Sequence, residues 1–308
     1  ASAYYASPWE EATIITLDGM GDELCAAISR GQHGAIERLY ACNGYYSPGI
    51  LYSAVTLGLG FKKNHHEGKI TGLAAYGDPD VYSPAFRKIM QYQSDKCRFF
   101  APEIARIYND LQKNTPFLDD LIRSGKPEDI AAAVQQVVEE VVVAFCRDAI
   151  RATGLPRLVL AGGVFANVKL NQRILALEEV ENVYIHPNMG DGGLGAGAAF
   201  QALAELSGGQ NTPLEPRFLQ NVYLGPEWDD DQVKAILDRE GRTCTFHENI
   251  EERIADLLVE GRIIGRFAGR MEYGPRALGQ RSALARADRP ALRNRLNGVL
   301  KRRSFYQP

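Results

Sequence analysis

Cysteine is scarce and poorly placed for cross-linking. The 308 residues hold five, Cys25, Cys42, Cys97, Cys146 and Cys244. Their number is odd, their spacing is scattered and no C-x-x-C occurs. They read as reduced thiols of a cytosolic protein, which disfavours a disulfide framework or a zinc site. Long apolar runs are missing too. A membrane helix needs about 20 apolar residues, and the best run, Val137 to Cys146, is broken by Glu139 and Glu140. The opening ASAYYASPWEEA has no charged n-region, so a signal peptide is not expected there. Internal repeats and low-complexity tracts are absent.

What is present is ordinary for a globular chain: 45% hydrophobic and 24% charged residues, which excludes disordered and fibrous classes. Single cores stop growing near ~250–300 residues, so two domains are expected. The charge is nearly balanced, 35 Lys+Arg against 38 Asp+Glu, for a net of −3. That balance hides an asymmetry. Gly261 to Pro308 carries 12 basic and 2 acidic residues, and 11 of the 12 are Arg. The first 260 residues carry 23 basic and 36 acidic residues. Arg offers a planar fork of donors suited to phosphate and carboxylate, so the C-terminal part looks built for an anion. A solvated basic face or a nucleic-acid patch is the competing reading.

Along the chain, Ala12 to Leu17 reads as a strand closed by a turn at Asp18-Gly19. Glu23 to Ser29 and Ala35 to Ala41 complete a three-stranded meander. Gly49 to Gly60 shows helical spacing. Glu128 to Thr153 is the strongest helix, with Ile130, Val134, Val137, Val138, Val141, Val142, Phe145 and Ile150 in register and Gly154-Leu155-Pro156 as its stop. Arg157 to Leu160 is a buried strand, followed by a glycine turn and a helix through Ile174. Asn182 to Ile185 is another strand, followed by the loop His186 to Gly197 and a helix near Ala198 to Leu206. This alternation predicts a largely parallel α/β core. Ser207 to Arg217, rich in Gly, Pro and polar residues, marks a domain boundary. Beyond it the sequence predicts helices at Trp228 to Glu240 and Glu251 to Glu260, and strands at Thr243 to Phe246 and Gly261 to Phe267.

Two glycine turns follow adjacent strands. Gly162-Gly163 precedes a helix with Asn167 expected in its first turn. Gly190-Asp191-Gly192-Gly193 repeats the arrangement. Such turns let backbone approach a phosphate at a helix N-terminus, and ligands of open α/β sheets sit at the carboxyl ends of strands. Tight structural turns are the plainer alternative. Asp18 and Asp191 each sit beside a glycine after a strand, so both carboxylates can reach one cleft and hold a hard cation. Capping is the alternative for each. His65-His66 is not an i,i+4 pair, which disfavours zinc, and no general base can be named. In GRMEYGPRALGQRS, Gly269 to Ser282, the arginines Arg270, Arg276 and Arg281 sit among glycines, a cradle for a compact oxyanion. RNA would favour more interleaved aromatics than Tyr273.

Seven segments together carry a resemblance. ASAYYASPWEEA, LDGMGDE, HHEGKITGLAAYG, AGGVFANVKLNQRI, NMGDGGLGAGAA, GRMEYGPRALGQRS and RLN followed by KRRSFYQP occur in order over nearly the whole chain. They resemble the NodU/CmcH carbamoyltransferase family. The resemblance implies an α/β fold: an actin-like ATPase (ASKHA, ribonuclease H-like) portion over residues 1–206, a linker over 207–218, and part of a YrdC-like domain over 219–308. It implies ATP-dependent O-carbamoyl transfer in the cytoplasm. Carbamoyl phosphate and ATP would give carbamoyladenylate, and the carbamoyl group would pass to a hydroxyl of a small-molecule acceptor. Residue by residue, it implies metal ligation by Asp18 and Asp191, iron being usual in that superfamily and magnesium accompanying ATP. It implies nucleotide binding at Gly162, Gly163, Asn167, Gly192 and Gly193, and carbamoyladenylate formation at Arg276, Arg281 and Ser282. It further implies a His-x-x-x-His motif upstream of Ala1 and more of the YrdC-like domain beyond Pro308. Nucleic acid and membrane are not expected partners, and a homo-oligomer is compatible with the pattern. The rival readings are a tRNA (threonyl)carbamoyladenosine-type enzyme and a non-catalytic nucleotide-binding fragment.

Overall fold

A computed structural model gives the structure of the chain and describes residues 1–104, 116–209, 212–301 and 306. Of the KRRSFYQP run, only Lys301 and Tyr306 are among them. The chain divides into two compact units, Ala1–Leu219 and Gln220–Pro308.

The first unit is organised by a five-stranded sheet. Its meander is β1 (Ala12–Gly21), β2 (Leu24–Gln32) and β3 (Ala35–Asn43). A small hairpin, β4 (Gln91–Gln93) with β5 (Arg98–Phe100), stands apart. The sheet resumes with β6 (Arg157–Ala161) and β7 (Asn182–Ile185), and its strand order is β3-β2-β1-β6-β7. The meander pairs antiparallel, while β1 pairs β6 and β6 pairs β7 in parallel. The sheet is therefore mixed, half meander and half crossover.

Central position explains why β1 is buried on both faces. Ala12 and Ile14 join Tyr4, Tyr5 and Val159 in one apolar cluster, against which Phe200 packs. Thr13 and Ile15 alternate to the opposite face, where the Pro127–Thr153 helix packs on β1. That helix has Pro127 in its first turn, Glu128 and Asp129 beside the positive end of its dipole, and Gly154 as a left-handed cap. Its apolar stripe, from Ile130 through Ala149, is fully buried. The helices Pro48–Gly58, Glu67–Ala74 and Ser83–Ile89 pack around it.

Two details of the meander differ from the sequence reading. Asp18-Gly19 does not close β1, which continues to Gly21. The turn lies instead at Asp22 and Glu23, both with positive φ (50° and 63°), the sign of backbone that matches strand twist in a two-residue hairpin. Between Leu17 and Gly21 the β1–β2 register shifts, so Asp18 sits on a bulge. A bulge bends the strand and re-aims its side chains.

The second unit holds helices Asp230–Arg239 and Ile250–Val259 and an antiparallel pair, β8 (Ile264–Phe267) with β9 (Arg281–Leu284). Asp229 and Gln232 form a reciprocal capping box on the first helix. Thr243–Phe246 is not a strand: all four residues are exposed and none is paired, so β-propensity there has no neighbouring strand to act through. The buried residues of this unit, among those described, are both polar: Glu272 and Asn297.

Candidate functional site

The carboxyl ends of β1, β6 and β7 converge. The β1–β6 pairing runs from Thr13 opposite Leu158 to Thr16 opposite Ala161. Asp18 follows on one strand and Gly162-Gly163 on the other. The Asp18 carboxylate accepts the Gly19 N–H at 2.7 Å. A Cβ on Gly163 would lie 3.1 Å from Asp18 Oδ1, so the backbone is open there only because the residue is glycine. Gly162 is more constrained. Its φ is +111°, and a Cβ would sit 2.1 Å from the Leu17 carbonyl oxygen. Its N–H donates to the Met189 carbonyl at 2.7 Å, which ties the β6 turn to the loop after β7. Gly190 of that loop faces Gly163, with 3.9 Å from a notional Cβ to the Gly163 Cα. Gly163 thus stands between Asp18 and the loop that carries Asp191. Asp18 is half-buried and Asp191 exposed.

The same end of the sheet receives a helix N-terminus. Ser47 caps the Pro48–Gly58 helix by accepting from Gly49 and Ile50, and its hydroxyl donates to the Asp18 carbonyl at 2.8 Å. The loop after β7 has its own brace. His186 is buried, and its Nδ1 lies 3.0 Å from the Asn188 carbonyl, so that nitrogen carries the proton. Burial lowers its pKa and keeps the ring neutral. A Cβ on Gly192 would collide with the Asn188 carboxamide, and one on Gly193 with the Asn188 carbonyl at 2.1 Å. Both glycines let this loop fold on itself.

Asn167 is placed differently from expectation. It is the N-cap of the Val168–Leu175 helix, not a first-turn residue, and a 3-10 turn, Gly163–Ala166, intervenes. Its Oδ1 accepts from Leu170 N at 3.1 Å. Its carboxamide also pairs reciprocally with Gln135, at 2.9 and 3.2 Å. Gln135 in turn accepts the Tyr52 hydroxyl at 2.7 Å and donates to Glu139 at 2.7 Å. Arg173 closes the chain on Glu139 at 3.2 Å. Burial raises the Tyr52 hydroxyl pKa well above its ordinary value, so it stays a donor. Gln135 and Glu139 escaped the sequence reading. Their signal was present: two polar residues in register with an otherwise apolar stripe of the long helix.

In the second unit, the loop Gly269–Ser282 divides its arginines. Arg281 gives two N–H bonds to the Ala268 and Gln280 carbonyls and one to that of Gly269. Its guanidinium also lies 3.7 Å from the Phe267 ring centroid and 5.7 Å from that of Trp228. Arg270 donates to the Gly225 and Leu224 carbonyls. Ser282 Oγ accepts the Gly279 N–H at 2.9 Å. Arg276 is exposed and has no partner among the described residues. The expected cradle therefore resolves into two arginines bound to backbone carbonyls and one, Arg276, free to meet an anion. Glu272, also missed from sequence, sits beneath the loop. Its Oε1 accepts N–H bonds from Leu278, Gln280 and Arg281 at 2.8, 2.8 and 3.2 Å. Burial alone would raise this carboxyl, but the backbone donors outweigh it and hold its pKa at about 2.

Two family models match the chain: the carbamoyltransferase N-terminus over residues 1–200 and the carbamoyltransferase C-terminus over residues 255–308. The chain belongs to the carbamoyltransferase family. Nodulation protein NolO of Bradyrhizobium diazoefficiens is 32% identical over 100% of this chain and 56% of its own length. The 3'-hydroxymethylcephem-O-carbamoyltransferase of Streptomyces clavuligerus is 29% identical over 78% of this chain and 43% of its own length. An uncharacterized Synechocystis protein is 30% identical over 100% and 52% respectively. The chain spans about half the length of the curated relatives it matches. A crystal structure of HypF from T. kodakarensis aligns with a TM-score of 0.42 and 16% identity, over 67% of this chain and 36% of that one.

The carbamoyltransferase resemblance implied iron and ATP, and the residues answer these differently. No group of three or more His, Cys, Asp or Glu side chains comes together among the described residues. Two carboxylates fall short of a transition-metal shell, so these residues alone do not make an iron site. Oxygen ligands completed by water and phosphate are what magnesium takes; Asp18 and Asp191 are oxygen donors of that kind, on segments that meet at Gly163 and Gly190. The glycines at 162, 163 and 190 pack against Leu17, Asp18 and Gly163 of the chain itself, and the Gly162 N–H is taken by the Met189 carbonyl. No described helix is long and apolar enough to cross a membrane.

Proposed function

We propose that the protein is an ATP-dependent O-carbamoyltransferase working through carbamoyladenylate, and that the two units divide the reaction. Arg276 carries this reading: it is the arginine of the Gly269–Ser282 loop that has no partner among the described residues. In the second unit, carbamoyl phosphate loses its phosphoryl group to water. The resulting carbamate oxygen then displaces pyrophosphate from the α-phosphorus of ATP. Arg276 would neutralise the phosphate charge that develops. In the first unit, an actin-like ATPase portion, the glycine turns at Gly162-Gly163 and Gly190–Gly193 would hold the nucleotide. Asp18 and Asp191 would hold its magnesium at the strand ends. The acceptor would be a hydroxyl-bearing small molecule, as the hydroxymethylcephem is for the Streptomyces relative.

The test is to separate the two steps in the full-length protein. Lys keeps the charge of Arg276 but loses the bidentate fork. Arg276→Lys is expected to cut pyrophosphate release from carbamoyl phosphate and ATP by on the order of 10²-fold. Transfer from supplied carbamoyladenylate should be spared. Equal loss of both steps, or of neither, overturns the division of labour. A tRNA-modifying enzyme would instead tolerate Lys and bind with steep salt dependence.

A further inference from the structure

Glu272 is an acidic residue in a segment whose charge is otherwise overwhelmingly positive, and it is one of its two buried residues among those described. A buried carboxylate is costly unless hydrogen-bonded. Here it is satisfied not by an arginine but by the N–H groups of Leu278, Gln280 and Arg281. One oxygen thereby closes the tip formed by residues 273–277, and Arg276 lies on that tip. Gly279, with φ of +113°, supplies the turn that lets the N–H groups on either side of it face one anion, a conformation other residues rarely adopt. Its own N–H turns away to Ser282. The loop is thus wound around a carboxylate of its own, and Arg276 is left exposed above it.

We propose that Glu272 is the positioning residue of the anion loop, fixing the tip so that Arg276 meets a phosphate or carbamoyl phosphate oxyanion without first having to be ordered. This rests on Arg276 being the anion contact. Ordering a free loop costs conformational entropy; a tip stapled beforehand avoids that loss when the ligand arrives. Charge matters as well as shape, because N–H bonds to an ionised acceptor are about twice as strong as those to a neutral one.

The experiment compares wild type, Glu272→Gln, Arg276→Ala and the double variant in the full-length protein. Inorganic phosphate and carbamoyl phosphate binding are measured by calorimetry, and hydrogen exchange is followed at amides 278–281. Glu272→Gln should weaken binding by on the order of tenfold and deprotect those amides. Arg276→Ala should weaken binding and leave the amides protected. The double variant should bind no worse than Arg276→Ala, a non-additivity that a purely structural role would not produce. Intact binding in Glu272→Gln beside weakened binding in Arg276→Ala overturns the positioning role and spares the anion site. Full additivity does the same. Unchanged binding in Arg276→Ala overturns the anion site itself. If Glu272→Gln unfolds, Glu272→Asp is read instead with the same expectation, since it keeps the charge and withdraws the oxygen by one methylene.

Discussion

Asn167 shows how one side chain can be pointed to by a motif and yet be occupied elsewhere. Its Oδ1 already serves Leu170 and Gln135, and its amide serves Gln135. Removing it leaves Gln135 short of a partner inside the protein and strips a helix cap. Asn167→Ala should therefore cost about 1–3 kcal/mol of stability, measurable by urea unfolding. A variant of undiminished stability with weakened nucleotide binding would support the ligand role. The neighbouring glycines separate the same two kinds of effect. Gly162→Ala forces a Cβ toward the Leu17 carbonyl at a φ of +111°, and should destabilise by about 3 kcal/mol or more. Gly163→Ala meets only the mobile end of the Asp18 carboxylate. It should fold normally while magnesium–nucleotide binding falls, as titration calorimetry can show. Wild-type affinity in Gly163→Ala would remove Asp18 from the site.

Among the elements, those fixed by periodicity were legible from the sequence and those fixed by partners were not. The helix Pro127–Thr153 was plain, because its apolar stripe, proline start and Gly154 stop all agree. So were the three meander strands and the parallel β6 and β7. The β1 bulge was not legible, because nothing in LDGMGD announces that the strand resumes after Asp18. Thr243–Phe246 had strand composition but no neighbour to bond. The anion loop was half legible. Its arginines and glycines marked it as a cradle, yet which guanidinium stays free depends on which carbonyls come near. Arg281 is spent on the Ala268, Gln280 and Gly269 carbonyls and on the Phe267 face. Glu272, one of two acids among the cations after Gly261, showed no role until the loop closed over it.

Taken as a whole, the molecule pairs two units of unlike interior. The first buries a continuous apolar core from Ala3 to Leu177. The second, among its described residues, buries no apolar side chain and leaves Phe246, Phe267, Val259 and Val299 more than half exposed. The basic excess after Gly261 belongs to this second unit, and most of those cations are exposed. Folding free energy comes chiefly from apolar burial, so local opening of residues 220–308 should require far less than global unfolding. A protease added under native conditions samples such openings. Trypsin, offered a string of exposed arginines there, should clip residues 220–308 within minutes while a resistant piece ending near Leu219 persists. Equal survival of both halves would mean that the second unit is held by something other than its own interior. The arginines that would make this region an anion site would then also make it the first place the chain is cut.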